Sequence, residues 1–371
     1  MNFSIEKEDL LQKLQICSKV VPARSTLPIL SCVLFSFEDE GLFIRTTNLE
    51  ISIKIKCKAE SGELGKIAIP IDKLLEITSV LPEELIRFDV SDIGKILISC
   101  SFGNYTIMGQ SADEFPTEQQ VENGKIFNIS GKEFKKIIFT TSYAASKDDM
   151  KPVLQGVLFQ IGDNDFVSVA TDGHRLVKFE KQNIHSPDYN GSVVVPIKFL
   201  SLMASLAKEE EDVSMVIGDN HIHVVLEYAA ISSRIINERF PDYNSVIPKD
   251  NNHTLVINRD AFADSIKRVS IFSNKSSKQI ALDIKENQLI VSTEDPENIT
   301  SGKETLDCQY DGEPITIGYN ATYLKEVLQH QETGEIKIML KSPLSAGIFL
   351  PMDQNIGEEK TTLLMPIRLN D

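Results

Sequence analysis

The sequence is short of positive charge. Lys and Arg number 38 against 54 Asp and Glu, a formal net charge of −16. Nucleic-acid binding would not be guessed from that total, because a phosphate backbone demands positive potential. Cysteines are few. Cys17, Cys32, Cys57, Cys100 and Cys308 are odd in number, widely spaced and never arranged as C-x-x-C. The pattern argues against a disulfide frame or a zinc site and fits reduced thiols in a cytosol. No apolar run is long enough to cross a bilayer; the longest candidate, residues 193–207, is interrupted by Pro196 and Lys198. The opening Met1-Asn2-Phe3-Ser4-Ile5-Glu6-Lys7 lacks the hydrophobic core of a secretion signal, so a cytoplasmic location is expected. What remains is a globular composition, 42% hydrophobic and 25% charged, in 371 residues. That length suggests two or three domains.

The chain repeats itself three times. Repeat 1 reads Phe3-Ser4-Ile5, then Leu10, Leu11 and Leu14, then Leu27-Pro28-Ile29-Leu30. Repeat 2 reads Phe127-Asn128-Ile129, then Phe134, Ile137 and Ile138, then Lys151-Pro152-Val153-Leu154. Repeat 3 reads Leu255-Val256-Ile257, then Phe262, Ile266 and Val269, then Ile280-Ala281-Leu282. Pro28 and Pro152 lie 124 positions apart, Pro70 and Pro196 126, and Pro116 and Pro241 125. The third repeat is more diverged, with Ile315-Thr316-Ile317-Gly318 before its second helix. Self-similarity at one period is the strongest single constraint on architecture.

Each repeat divides into halves in which a short strand enters a helix and alternating strands follow. Apolar residues recur at helical spacing in Leu10, Leu11 and Leu14, whereas Ile51, Ile53 and Ile55 alternate with Ser52, Lys54 and Lys56 at strand spacing. Helices are predicted over about 7–20, 71–81, 130–147, 197–208, 259–275 and 320–330. Gaps of hairpin size imply antiparallel pairing. The expected fold class is α+β, three similar domains, each with two helices laid on antiparallel sheet. The boundaries expected are 1–120, 125–249 and 253–371, separated by polar stretches. Similar domains joined head to tail continue as an arc, and an arc that closes is a ring.

The six predicted helices carry +7 between them and the rest of the chain −23. A ring with these helices inside would be basic within and acidic without, drawing a duplex to the hole and away from the rim. A helix with its side chains is about 10 Å across, so six side by side leave a bore of roughly 10 Å and twelve a bore near 28 Å. Duplex DNA is roughly 20 Å wide, so two chains are needed to surround it. Helices lying across the grooves would touch phosphates without settling into a register.

The sequence closely resembles the bacterial DNA polymerase III beta subunits, the sliding-clamp family, over its whole length. The resemblance rests on Thr26-Leu27-Pro28-Ile29-Leu30, Ala170-Thr171-Asp172-Gly173-His174-Arg175-Leu176, Arg239-Phe240-Pro241-Asp242-Tyr243 and Met365-Pro366-Ile367-Arg368-Leu369. It implies the DNA clamp fold and a head-to-tail homodimer closed around double-stranded DNA. No catalytic activity and no cofactor are implied. The implied partners are the polymerase III alpha subunit, the delta subunit of an ATP-driven clamp loader, and other polymerases and repair proteins carrying a clamp-binding peptide. Three repeats favour this family over the two-domain trimeric clamps of archaea and eukaryotes.

By the same resemblance, a peptide pocket is expected from Leu154, Thr171, Gly173, His174, Arg175, Leu176, Pro241, Val246, Met365, Pro366, Ile367, Arg368 and Leu369. Apolar walls would take leucine or phenylalanine anchors, and Arg and backbone groups would orient the peptide. The position before Val246, commonly basic in the family, is Ser245. Arg24, Lys147, Lys151 and Lys198 are the expected DNA contacts. Ile271 and Phe272 match an apolar interface pair and Tyr105 its aromatic partner. Lys73 and Lys95 are a thin basic complement to Glu294, Asp295, Glu297 and Glu304, so hydrophobic burial and strand pairing are expected to close the ring more than salt bridges do.

Two pairs of residues admit rival readings. Asp172 and His174 invite a catalytic role, but no partner carboxylate, cysteine or nucleophile elbow stands near them in sequence. A tight turn with Asp-Gly at its corner accounts for them. His221-x-His223 puts two imidazoles on one strand face with no third ligand in view, so an exposed strand is favoured over a metal site. A non-encircling scaffold that binds only proteins is the alternative function.

Overall fold

The computed structural model describes every residue except 119, 120, 185, 187, 370 and 371, together with the side chain of Ser61. Repeat 1 contains β1 (Asn2–Glu6), α1 (Lys7–Ser18), β2 (Cys32–Glu38), β3 (Gly41–Thr47), β4 (Ile51–Cys57), β5 (Ala59–Gly62), β6 (Gly65–Pro70), α2 (Ile71–Val80), β7 (Leu85–Val90), β8 (Lys95–Cys100) and β9 (Gly103–Met108). Repeat 2 contains β10 (Lys125–Ser130), α3 (Gly131–Thr141), β11 (Gly156–Ile161), β12 (Asp165–Thr171), β13 (Arg175–Gln182), β14 (Gly191–Pro196), α4 (Ile197–Leu206), β15 (Asp212–Ile217), β16 (His221–Val225) and β17 (Ala229–Arg234). Repeat 3 contains β18 (His253–Asn258), α5 (Arg259–Val269), β19 (Gln279–Lys285), β20 (Gln288–Asp295), β21 (Thr300–Asp307), β22 (Gln309–Tyr310), β23 (Ile315–Asn320), α6 (Ala321–Gln329), β24 (Glu335–Leu340), β25 (Gly347–Pro351) and β26 (Glu358–Leu364). Every strand pairing among the named strands is antiparallel, as the short connections require.

The chain packs as two units, residues 1–131 with 198–235 and residues 132–197 with 236–371. The first holds a five-stranded sheet, β5-β1-β7-β8-β9, and an eight-stranded sheet, β10-β15-β16-β17-β4-β3-β2-β6. The second holds a nine-stranded sheet, β14-β11-β12-β13-β26-β25-β24-β18-β22, and a four-stranded sheet, β21-β20-β19-β23. The units cut across repeat 2 because sheets run through repeat boundaries: β4 pairs with β17, and β13 with β26.

Periodicity explains the cores. Ile51, Ile53, Ile55 and Cys57 turn inward from β4 while the polar residues between them face out. Phe3, Phe35 and Phe88 stack in the first unit with centroids 4.8–6.2 Å apart. In the second unit α5 buries Phe262, Ile266 and Val269, one stripe at i, i+4, i+7. Its start is capped by Asn258, whose side chain accepts from the Ala261 N–H. The helix α1 packs on α2, and α5 on α6.

The helices end sooner than periodicity predicts. The predicted 130–147 stops at Thr141, whose hydroxyl bonds back to the Ile137 carbonyl (2.8 Å), and a 3-10 turn over Ser142–Ala144 follows. The helix predicted over 259–275 stops at Val269, before a 3-10 turn over Ser270–Phe272. Lys19, Lys147, Lys208 and Lys275 therefore fall outside the helices, and the helical excess drops from +7 to +3. All five cysteines are free, and four of them are buried.

Candidate functional site

The turn between β12 and β13 is built by its own side chains. Asp172 accepts from the backbone N–H of His174 (2.8 Å) and of Arg175 (3.0 Å), and Thr171 Oγ1 donates to the Arg175 carbonyl (2.7 Å). Gly173 sits at φ +91°, in the left-handed region where a Cβ would be strained. The Asp172 carboxylate thus holds the turn, the role expected of Asp-Gly at its corner.

Arg175, expected to help orient a peptide, is buried. It is 5% exposed. Its guanidinium meets Asp172 (3.2 Å), the Glu326 carboxylate and the Tyr143 carbonyl (2.6 Å), and stacks on the rings of Tyr143 and Tyr323 at 5.2 and 4.8 Å. Arg175 therefore fastens the turn to α6 and to the 3-10 turn after α3, a structural task that engages all three of its guanidinium nitrogens.

Below the turn lies an apolar floor. Leu158, Val169, Leu176, Val194, Phe240, Tyr243, Ala346 and Leu363 form one buried cluster, with Val153, Ile236 and Ile247 packed against it. The terminal segment closes one side: the Met365 N–H donates to the His174 carbonyl (2.8 Å), and the Ile367 N–H to the Gly318 carbonyl (2.8 Å). A Cβ on Gly318 would come within 2.6 Å of the Ile367 carbonyl oxygen, so glycine is what lets the segment lie so close. Thr171, Gly173, His174, Arg175, Leu176 and Met365 are thus brought together. Pro241 and Val246 are exposed beside buried Phe240 and Tyr243, Leu154 is buried, and Arg368 is exposed. Leu369 reaches a groove of about 1090 Å³ lined by β20 and β21.

Sequence reasoning missed Tyr143, Tyr323 and Glu326, which hold Arg175. Nothing local marks them, because Glu326 is 151 positions from its partner. The ring of His174 lies 5.8 Å from that of Tyr323. Burial pushes the Tyr323 phenol up.

Among the expected DNA contacts, Arg24, Lys147, Lys151 and Lys198 are all exposed, and none has an ion pair among the described residues. The Lys151 ammonium stands 3.9 Å from where a Cβ on Gly173 would project, beside the turn. On α1 the lysines are committed: Lys7 pairs with Glu83, and Lys13 lies near Asp9 and over the Tyr228 ring (4.4 Å). Lys19 reaches Ser205 (3.5 Å), so the end of α1 meets α4 from the next repeat. His221 and His223 lie on β16, where burial lowers both imidazoles and His223 Nδ1 is 2.9 Å from Ser232 Oγ.

The interface candidates are exposed on edges. Tyr105 is on β9, the last strand of its sheet, and Ile271 (75% exposed) and Phe272 lie in the turn after α5. Several charges near them are spent within the chain. Lys73 pairs with Glu76 (2.8 Å), Arg268 holds Glu304 through two bonds of 2.7 Å, and buried Asp295 accepts from Asn298 (2.7 Å).

Three successive domain profiles match the chain: the N-terminal domain of the DNA polymerase III beta subunit at residues 1–119, its central domain at 128–242 and its C-terminal domain at 244–368. The chain belongs to the DNA polymerase III beta subunit family. The beta sliding clamp of Pseudomonas aeruginosa is 30% identical over 372 residues, covering all of both chains, and that of Haemophilus influenzae 29% identical over the whole of both. A crystal structure of the P. aeruginosa beta subunit is similar with TM-score 0.90 and 29% identity, over 99% of this chain and 100% of that one. The clamp of Bartonella birtlesii, solved bound to griselimycin, is similar with TM-score 0.91 and 26% identity over the whole of both chains. For this family member the three-domain clamp fold accounts for the threefold repeat, its two-helix units and its all-antiparallel sheets.

Proposed function

We infer how this chain works from its family and its chemistry together. It is a DNA sliding clamp, a processivity factor for DNA polymerase III, and its partners are DNA, polymerase and a second copy of itself. The observation that carries this is the unbroken match of three successive beta-subunit domains along the chain. The non-encircling scaffold is not favoured, since the full-length relatives are sliding clamps.

In mechanism, two chains, each of domains 1–120, 125–249 and 253–371, close head to tail around the duplex. Arg24, Lys147, Lys198 and the exposed helix lysines offer the phosphates scattered, unpaired charge, which attracts without gripping. Lys151 serves either the duplex or the rim of the peptide site, and its place beside Gly173 supports the rim. Retention comes from enclosure. The floor under the Thr171–Leu176 turn, with Pro241, Val246 and Met365–Leu369 around it, takes the apolar anchors of a short peptide from the polymerase alpha subunit, the loader delta subunit or other clamp-binding proteins. The protein is non-catalytic, needs no cofactor and works in the cytoplasm.

The test is topological. Loaded on a nicked circular plasmid, the protein stays bound when salt is raised; on linear DNA of equal length it leaves from the ends. Equal release from both would overturn enclosure, because contact-based binding weakens with salt regardless of DNA topology.

A further inference from the structure

The helix α3 buries one side and shows another. Phe134, Ile137, Ile138 and Thr141 turn into the core, a stripe at helical spacing. The opposite face carries Lys132, Lys135, Lys136 and Phe139, at i, i+3, i+4 and i+7. Phenylalanine is the odd member of that set. Phe139 is 55% exposed, and among the described residues it is the one large apolar side chain exposed on α3 or α6. In a chain of net charge −16, an open aromatic ring set among three lysines calls for a reason.

The ring is seated on its neighbours. His330, just past α6, lies against it with ring centroids 4.7 Å apart. His330 in turn stacks on Tyr143 at 3.8 Å and 12°, and its Nδ1 is 2.8 Å from the Glu326 carbonyl oxygen. Tyr143 packs against the Arg175 guanidinium at 5.2 Å. Each layer is fixed by the next, so the Phe139 ring loses little freedom when something settles on its open side. The lysines differ in what they have left to offer. Lys136 is held by Glu358 (2.5 Å) and lies 3.7 Å from Glu332. Lys132 and Lys135 have no ion pair among the described residues.

A half-covered ring beside free ammonium groups matches the two parts of an unpaired nucleotide. The base offers a face to stack, and the phosphates offer charge to the lysines. A duplex offers only the second, because its bases are already stacked inside the helix. A protein partner would need an apolar patch, and Phe139 has no exposed apolar neighbour on α3 or α6 among the described residues. We propose that Phe139 is a stacking site for an unpaired base of single-stranded DNA, with Lys132 and Lys135 holding the adjoining phosphates. The inference rests on the clamp reading above, which turns the helices toward DNA. It adds a preference to that reading: lysines attract paired and unpaired strands alike, whereas the ring selects the unpaired one.

The test is binding by the full-length protein of a short single-stranded oligothymidine carrying 2-aminopurine, whose fluorescence falls on stacking, against a duplex of the same length. Phe139→Ala and Phe139→Leu should each weaken single-strand binding about tenfold and abolish the quenching, and should leave the duplex within about twofold. Phe139→Tyr keeps a ring and should keep both. Lys132→Ala should instead lower the salt dependence of single-strand binding, by about 0.7 in log–log slope for one phosphate contact, a slope that Phe139→Leu leaves alone. Unchanged affinity in Phe139→Leu and Phe139→Ala, or no quenching by the unsubstituted chain, overturns the site. A loss in Phe139→Tyr equal to that in Phe139→Leu does the same. Equal losses for single strand and duplex overturn the preference. A loss with Ala but not with Leu means a merely apolar contact, of the kind a protein partner makes, and overturns stacking. The nicked-plasmid test is separate. Failure of the unsubstituted chain there overturns the clamp reading; retention there, with single-strand affinity unchanged in Phe139→Leu, overturns this site alone.

Discussion

Lys360 is a lysine whose chemistry departs far from its ordinary state. It is 4% exposed on β26, and its ammonium donates to the His330 carbonyl. Burial pulls its pKa from 10.5 down to about 8; nearby Glu332 opposes that shift and Lys136 adds to it. The sign follows from proton binding. Between pH 8 and 10.5 the unfolded chain holds more protons at this position than the folded chain, so stability rises with pH across that window; below pH 8 the full cost of a buried charge applies. Two and a half pKa units correspond to about 3 kcal/mol at most. Lys360→Met should therefore lose the rise, so that wild type gains on the variant in urea unfolding as pH goes from 7 to 10. Parallel curves for the two proteins would contradict the assignment. Glu358, two residues away, is also depressed, so stability again rises with pH, but in the acid range and because its charged form is the favoured one. Held by Lys136, Lys181 and Asn355 against the cost of its own burial, its pKa falls to about 2, so its contribution disappears only as acid approaches that pH.

At the scale of elements, the terminal segment is the part most exposed to test. Residues 365–369 are tied to the second unit by the Met365–His174 and Ile367–Gly318 bonds and carry exposed Met365 and Arg368 to the site. Deleting them should lower affinity for a polymerase-derived clamp-binding peptide by at least about tenfold, or 1.4 kcal/mol. The solution mass should stay that of two chains, since none of the expected interface residues Lys73, Tyr105, Ile271 and Phe272 is deleted. Loss of association on deletion would place the segment at the subunit interface instead. This segment, the Thr171–Leu176 turn and the Pro241–Tyr243 stretch could all be read in the sequence, because each is a local motif. The strand alternation of β4 and the stripe of α5 were legible for the same reason: period and burial are local properties. Helix ends were less so, since 3-10 turns continue the apolar pattern after the α-helix has stopped. The hold on Arg175 was not legible at all. It depends on Tyr143, in the 3-10 turn packed on β12 and β13, and on Glu326, which the pairing of β13 with β26 brings near, and sequence spacing carries no signal of either contact.

For the whole molecule, the question is which force holds two strongly acidic chains together. Each carries −16, so a pair carries −32, and long-range electrostatics opposes association. Intersubunit salt bridges could offset this only with free partners. Yet Lys73 is engaged by Glu76, Glu304 by Arg268, and Asp295 by Asn298 within the chain. Beside a few exposed charges such as Lys95, Glu294 and Lys303, the edges present apolar surface on Tyr105, Met108, Ile271, Phe272 and Ile299, together with the edge backbone of β9 and β21. Burial and strand pairing are insensitive to ionic strength, whereas the repulsion is screened within about 10 Å at 0.1 M salt. The dissociation constant of the pair, measured by sedimentation, should therefore change by less than about threefold, and toward tighter association, between 0.05 and 0.5 M salt. Many-fold weakening over that range would mean that intersubunit ion pairs dominate. The internal pairs named above would then have to exchange partners when the ring closes.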